Sequence, residues 1–161
     1  MKRVTAALAS ILTLGAFSCD DETVVCPEMP ESYIMADKNT ASWLGQPELR
    51  LDNDTLWILG VANKPNDEVL VMKIKYNGTG TYALHPKQGY YYTTVGGDVL
   101  TSEYKLAKNT VGTLKIIADG KTEGVIEGSF DLALRKVRSN PESSIESINF
   151  TDGRFRGQIA D

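Results

Sequence analysis

Glu68-Val69-Leu70-Val71-Met72-Lys73-Ile74-Lys75-Tyr76, running straight into Asn77-Gly78, decides the fold class. Leu70, Met72, Ile74 and Tyr76 fall on one face of an extended chain, with Lys73 and Lys75 on the other. A period of two marks a half-buried strand, because successive Cβ atoms of extended backbone point to opposite sides. Asn-Gly then signals a hairpin, since both residues tolerate positive φ. The chain is therefore expected to turn at once and return over residues 79–84.

The same pattern repeats on both sides. Upstream, residues 48–52 and 55–62 flank Asn53-Asp54, a tight turn, and residues 63–67 form a turn cluster around Pro65. Downstream, residues 90–95 and 99–106 flank Gly96-Gly97-Asp98, and residues 110–118 and 124–136 flank Asp119-Gly120-Lys121. Within 124–136, Ile126, Phe130, Leu132 and Leu134 share a face with Gly128, opposite Glu127, Ser129 and Asp131. Residues 139–144 are a Pro-containing loop, and 145–150 and 154–159 make a final hairpin around Thr151-Asp152-Gly153. Arg154 and Arg156 around Phe155 suit a strand near a sheet edge, where charge discourages strand addition. No stretch has a helical period. The expectation is an all-β fold, an antiparallel β-sandwich of about 9–11 short strands joined as meander hairpins, with an up-and-down, lipocalin-like β-barrel as the alternative.

The amino terminus carries a different message. Lys2-Arg3, an apolar run over residues 4–17 and Ser18-Cys19 match the basic, apolar and small-residue parts of a secretory signal. The run is too short to span a bilayer, which takes about 20 apolar residues. In a lipoprotein signal the residue after the cut is Cys, whose thiol takes the diacylglycerol. Cys19 is thus the expected lipidation site and residues 1–18 the signal peptide. Phe17 and Ala16 stand where the strict pattern prefers a small residue and Leu. A conventional cut that leaves Cys19 to pair with Cys26, or an uncleaved anchor, are the alternatives. Two or three acyl chains would hold the chain stably on a membrane, one chain being marginal, and would leave Cys26 without an intramolecular partner. Asp20-Asp21-Glu22 resembles the acidic export signal of Bacteroidota lipoproteins, which implies an outer-membrane anchor with cell-surface exposure; a solvated tether facing the periplasm is the alternative. Residues 19–32 include Pro27 and Pro30, have little to bury, and read as a flexible acidic tether to a single β-domain over 33–161.

Removing residues 1–18 from the 161 leaves 143, which suits one domain with a real core. Loss of Lys2 and Arg3 takes 17 basic residues to 15 against 21 acidic ones, a net charge of −6. With no basic stripe, nucleic acid is not an expected partner. Two Cys supply neither a disulfide framework nor a Cys-rich zinc site.

Three segments carry a family resemblance: Gly80-Thr81-Tyr82-Ala83-Leu84, Ile126-Glu127-Gly128-Ser129-Phe130-Asp131-Leu132, and Ile148-Asn149-Phe150-Thr151-Asp152-Gly153-Arg154-Phe155. With the opening Met35-Ala36 and Trp43, they resemble a family of Bacteroidota lipoproteins classed as a domain of unknown function, over about residues 33–159. That family has no assigned catalytic residues, so the resemblance implies an envelope location and no chemistry.

The residues themselves offer little for catalysis. His85, the one His, sits in the loop His85-Pro86-Lys87-Gln88-Gly89, and a lone His makes neither a two-His metal site nor a triad without an elbow Ser. Asp52-Asn53-Asp54 has calcium-ligand types but lacks the Gly and distal Glu of an EF-hand, so a hairpin turn is the better reading. Asp54-Thr55-Leu56 resembles the Asp-(Ser/Thr)-aliphatic acceptor of general O-glycosylation in Bacteroidota, which makes Thr55 a candidate acceptor; the alternative is a β-branched strand start. Tyr90-Tyr91-Tyr92 is the aromatic cluster. One side of it is core, and the other, with Trp43 or Trp57, is a candidate platform for a sugar ring or a partner protein. The expected function is a non-enzymatic surface binding or accessory module, held to the membrane by its lipid and contacting a glycan or an envelope protein. No catalytic residue, cofactor or metal is expected. A structural subunit of a surface complex is the first alternative, and a hydrolase using two carboxylates the second.

Overall fold

The alternation at residues 68–76 becomes a strand with Leu70, Met72 and Ile74 fully buried on one face. The computed structural model describes residues 31–62, 67–119 and 124–160. These hold ten strands and no helix: β1 (Tyr33–Lys38), β2 (Ala41–Asp52), β3 (Thr55–Ala62), β4 (Asp67–Lys75), β5 (Gly80–Leu84), β6 (Gly89–Val95), β7 (Val99–Leu106), β8 (Gly112–Asp119), β9 (Val125–Ser139) and β10 (Ser147–Ala160). The chain is all-β, as its alternation requires. It forms one ten-stranded mixed sheet, ordered β1-β10-β2-β3-β4-β6-β7-β9-β8-β5. The ladders are antiparallel except one, in which Ile159 and Ala160 of β10 run parallel to Leu49 and Arg50 of β2.

Two further pairings, β1 with β2 and β9 with β10, return the ladder to its start. A circuit of hydrogen-bonded neighbours thus runs from β2 through β3, β4, β6, β7, β9 and β10 back to β2. Strand β9 serves three partners. Its Leu134–Ser139 end pairs with β7, its Ile126–Asp131 end pairs with β8, and β10 follows it on the other side. Side chains facing into this circuit make one apolar core, including Ile34, Ile58, Leu70, Leu114, Phe130, Leu134, Phe150 and Phe155.

The β9–β10 ladder is tight at two places. Phe155 lies opposite Gly128, and Phe130 lies opposite Gly153. A Cβ on Gly128 would collide with the Lys115 carbonyl oxygen of β8 and come 2.7 Å from Cε1 of Phe155, and one on Gly153 would come 2.5 Å from Cε2 of Phe130. At Gly153 the facing ring, and at Gly128 the facing ring together with the β8 backbone, occupy the space that a side chain would need, which is the close approach that glycine within a strand marks.

The tight turns fall where expected. Asn53 and Asp54 have φ of 45° and 63°, with Asp52 opposite Thr55, so a two-residue turn of positive φ joins β2 to β3. Gly96 and Gly97 have φ of 67° and 83° between the paired Val95 and Val99.

Four expectations are corrected. First, β1 is a strand that the sequence reading left unassigned, and β2 starts at Ala41 rather than at residue 48. Second, Asn77-Gly78 turns the chain without making a hairpin, because β4 pairs with β3 and β6 while β5 pairs with β8. The Tyr76 hydroxyl donates to the Asp119 carbonyl at 2.8 Å, and the backbone of Tyr82 pairs with Leu114, so the return is drawn across to β8. Third, Thr151-Asp152-Gly153 is not a hairpin. Strand β10 continues through it as a bulge, with φ of 52° at Asp152 and a register shift between Phe150 and Gly153, because both flanks stay paired to β9. Fourth, this segment is not at an edge: β10 lies between β9 and β1, with Arg154 and Arg156 on its outward face and Arg156 donating to Glu127 at 3.0 Å. The turn residues 63–66 and 120–121, the signal segment and most of the tether lie outside the described residues.

Gly128→Ala should cost about 1–3 kcal/mol, the range for overpacking a filled core. In urea titrations this should appear as a lower midpoint at unchanged slope.

Candidate functional site

One acidic side chain faces inward with the core residues of its strand. Glu68 occupies the inward register of β4 above Leu70, Met72 and Ile74, and is 8% exposed. A carboxylate withdrawn from water is costly unless charged or hydrogen-bonding partners replace the water. Three elements supply them. Asn39 and Thr40, with φ of 48° and 75°, turn β1 into β2 and bring Lys38 opposite Ala41. The Lys38 ammonium donates to the two Glu68 oxygens at 2.7 and 2.6 Å. Trp43, opposite Ala36 in the same hairpin, donates its indole N–H to Glu68 at 2.7 Å. Tyr91 of β6, opposite Leu70, completes the group. Its hydroxyl accepts from Lys38 at 3.2 Å, and the ammonium lies 5.3 Å from its ring centroid.

Aromatic rings support this polar group from below. Phe150 meets Trp43 edge-on at 5.4 Å and Tyr91 at 5.5 Å, and Tyr91 meets Tyr104 at 6.0 Å. Burial raises the Tyr91 phenol above its ordinary value, and the charge of Glu68 and a hydrogen bond to it add to the shift. Tyr91 therefore stays protonated at neutral pH. Among the described residues no buried side-chain nitrogen or oxygen lacks a partner.

Above the ion pair opens a cleft of about 450 Å³. Lys38, Glu68, Tyr91 and Tyr104 line it together with the hydroxyl residues Thr93, Thr101, Ser102, Ser139 and Ser143. Thr93 Oγ1 lies 2.7 Å from Thr101 Oγ1 and 2.6 Å from Ser102 Oγ, a hydroxyl ladder across the β6–β7 hairpin. The rim is fixed. Tyr104 donates to the Ile145 carbonyl at 3.1 Å, the Ser143 N–H donates to Ser139 Oγ at 2.9 Å, and Lys136 ties down Glu146 at 2.7 Å and also pairs with Glu142. Hydrogen bonding to Lys136 holds the Glu142 carboxyl below its ordinary value. The cleft thus sets hydroxyl donors and acceptors and one internally neutralised charge pair beside apolar wall from Ala41, Pro141, Ile145 and Ile148.

The residues singled out from sequence separate into two places. Trp43 and Tyr91 are in the core at 4% and 2% exposure, with Tyr91 reaching the cleft. They do not join Tyr90, Tyr92 and Trp57 in a surface platform, because alternation turns Tyr91 inward and Trp43 is held by Glu68. Tyr90 and Tyr92 face outward and stack, with centroids 6.3 Å apart and planes at 20°. Trp57 also faces outward, between Arg50 and Lys73, whose charged groups lie 5.6 and 4.8 Å from its centroid. Thr55 opens β3, half-buried, after the Asn53-Asp54 turn. His85 is exposed in a loop, where its N–H donates to Gln88 Oε1 at 2.8 Å. Asp52 accepts from the Asn53 side chain at 3.0 Å within the turn. Among the described residues no three His, Cys, Asp or Glu side chains gather as a metal-ligand set. Cys19, Asp20, Asp21, Glu22 and Cys26 lie outside the described residues.

Sequence reasoning did not single out Lys38 or Glu68. The signal for Glu68 was present, since a period of two places it on the face of Leu70, Met72 and Ile74. Nothing local points to Lys38. Comparison of the chain with family models, curated proteins and solved structures finds no match.

Glu68→Ala would leave Lys38 and Trp43 without their acceptor, and should cost about 3–5 kcal/mol, the range for breaking a buried pair. Equilibrium denaturation measures it. Tyr91 has a folded-state pKa above its ordinary 10.0, so its contribution to stability is complete below pH 10 and is lost as the pH rises further. Above pH 10, stability should fall by up to about 1.4 kcal/mol per pH unit for this proton, and Tyr91→Phe should flatten that slope in denaturation series run at increasing pH.

Proposed function

We propose that this chain is a lipid-anchored protein of the bacterial cell envelope that acts as a non-enzymatic binding module, with the cleft over Lys38 and Glu68 as its binding site. The ligand is a neutral, hydroxyl-rich molecule, a glycan in class. The observation that carries this reading is the ion pair at the floor of a cleft whose wall combines hydroxyl groups with apolar and aromatic surface. The pair cancels its own charge, so neither an anion nor a cation gains from entering. Alternating donors and acceptors on Thr93, Thr101 and Ser102 suit sugar hydroxyls, which both donate and accept. The Tyr91 and Tyr104 rings supply apolar surface beside them. Glu68 is already engaged by Lys38 and Trp43, which suits a structural acceptor better than a proton-transfer group.

The envelope location rests on Lys2-Arg3, the apolar run 4–17, Cys19 and Asp20-Asp21-Glu22, and on the resemblance to Bacteroidota lipoproteins. In this reading Cys19 bears the acyl chains, the acidic run directs the chain to the outer face of the outer membrane, and the β-domain meets ligand outside the cell. Cys19→Ala should abolish labelled-palmitate incorporation and release the protein from membranes; retention in the membrane would refute the anchor.

For the cleft, neutral oligosaccharides screened on a glycan array should include a binder whose affinity falls about threefold to tenfold in Thr93→Val, the cost of one lost hydrogen bond. The thermal midpoint of the variant controls for folding. Unchanged affinity in a folded Thr93→Val protein would remove the cleft as the binding site.

A further inference from the structure

A second site stands on the outer face of the sheet, independent of the cleft. Arg50, Trp57 and Lys73 are cross-strand neighbours on β2, β3 and β4, and Lys75 follows Lys73 on the same face. Among the described residues, Arg50, Lys73 and Lys75 form no ion pair, as is also true of Lys87, Lys108, Lys115, Arg135 and Arg154; what sets the three apart is that they line grooves that share one indole wall. Two of these cations, Arg50 and Lys73, lie over one indole on a chain of net charge −4, and Glu48 and Asp52 alternate with Arg50 on the same exposed face of β2 without pairing to it. The contacts of Arg50 and Lys73 with Trp57 use the ring's π face and leave their N–H donors free.

Trp57 is also the shared wall of two grooves, each of about 480 Å³. One holds Thr55, Lys73, Lys75 and Gln88, with Asp52 in its lining. The other holds Pro47, Leu49, Arg50 and Leu59, with Glu48 in its lining. The two cations are carried two strands apart, about 10 Å between backbones. Their charged groups converge on the ring, 5.6 and 4.8 Å from its centroid, so a ligand that engages both cations lies across Trp57.

We infer that Trp57, Arg50, Lys73 and Lys75 bind an acidic polysaccharide, with its carboxylates on the cations and a sugar ring against the indole and its apolar neighbours. Arg50 takes a carboxylate through a two-pronged contact, and Lys73 and Lys75 act as point charges. Specificity for acid over neutral sugar comes from cations that pair with no carboxylate of the chain.

The test uses the full chain with polygalacturonate, dextran and inorganic sulfate as probes, read by calorimetry. Polygalacturonate should bind, and more weakly as salt rises from about 50 to about 500 mM. Arg50→Gln and Trp57→Ala should each reduce that affinity by about tenfold, the scale of a lost charge-assisted hydrogen bond or an aromatic stack. Thr93→Val should leave it unchanged, so failure here is distinct from failure of the cleft. Trp57→Phe, which keeps an outward ring, should retain the fold and part of the binding. Equal binding of dextran, saturation by inorganic sulfate alone at the same affinity, or unchanged affinity in folded Arg50→Gln and Trp57→Phe would each overturn the assignment.

Discussion

The reciprocal Phe–Gly pairs across β9 and β10 are the constraint on which the rest of the sheet depends. Phe155 fills the space over Gly128, and Phe130 fills the space over Gly153. This lets two long strands pair from Ser147–Arg135 to Gln158–Val125 with large rings buried between them. Four strands attach to that ladder directly. Strand β10 carries β1 and touches β2, while β9 divides its other edge between β7 and β8. The bulge at Asp152 is part of the same device. It absorbs extra backbone between Phe150 and Gly153, so that both can face β9 in register.

The polar group around Glu68 lies where this core ends. Below it, Phe150, Tyr91 and Tyr104 pack ring against ring. Above it, the lining turns to hydroxyls. A charge at this boundary can be reached from solvent through the cleft, yet must be satisfied by the protein, and Lys38 and Trp43 meet that need from one hairpin. An ion pair of this kind adds little net stability over a hydrophobic replacement, although losing one partner is costly. Its value here is geometric, because it fixes the floor and the charge neutrality of the cleft.

The outward face follows different physics. Tyr90, Tyr92, Trp57 and Lys73 are half-buried there beside their cross-strand neighbours, while Arg50 is exposed. The cations of the row gain only weak attraction from the indole ring, so much of their interaction capacity remains for a ligand. The cleft and the row thus differ in surface chemistry on one sheet, the first holding a neutralised ion pair and hydroxyls, the second cations around an indole.

The residues themselves show how far sequence reading reaches. Strand β3 and the Asn53-Asp54 turn were legible residue by residue, because alternation and positive φ are properties of a few consecutive residues. Asn77-Gly78 announced a turn correctly and misstated its partner, since a turn says nothing of which strand the returning chain will meet. Thr151-Asp152-Gly153 has hairpin composition and is a bulge, because β9 is present on both flanks to keep β10 straight. The inward placement of Glu68 and Tyr91 could be read from period two, but Lys38 could not. Its contacts with Glu68 and Tyr91 join residues 30 and 53 positions apart, and Trp43 reaches Glu68 across 25. By itself the sequence determined the all-β class, the Asn53-Asp54 and Gly96-Gly97 turns and the buried faces of β4 and β9, through backbone sterics and side-chain alternation that act locally. Only the tertiary structure decided which strands pair, what neutralises Glu68 and which aromatic residues stand together, because those depend on long-range packing that no stretch of chain encodes alone.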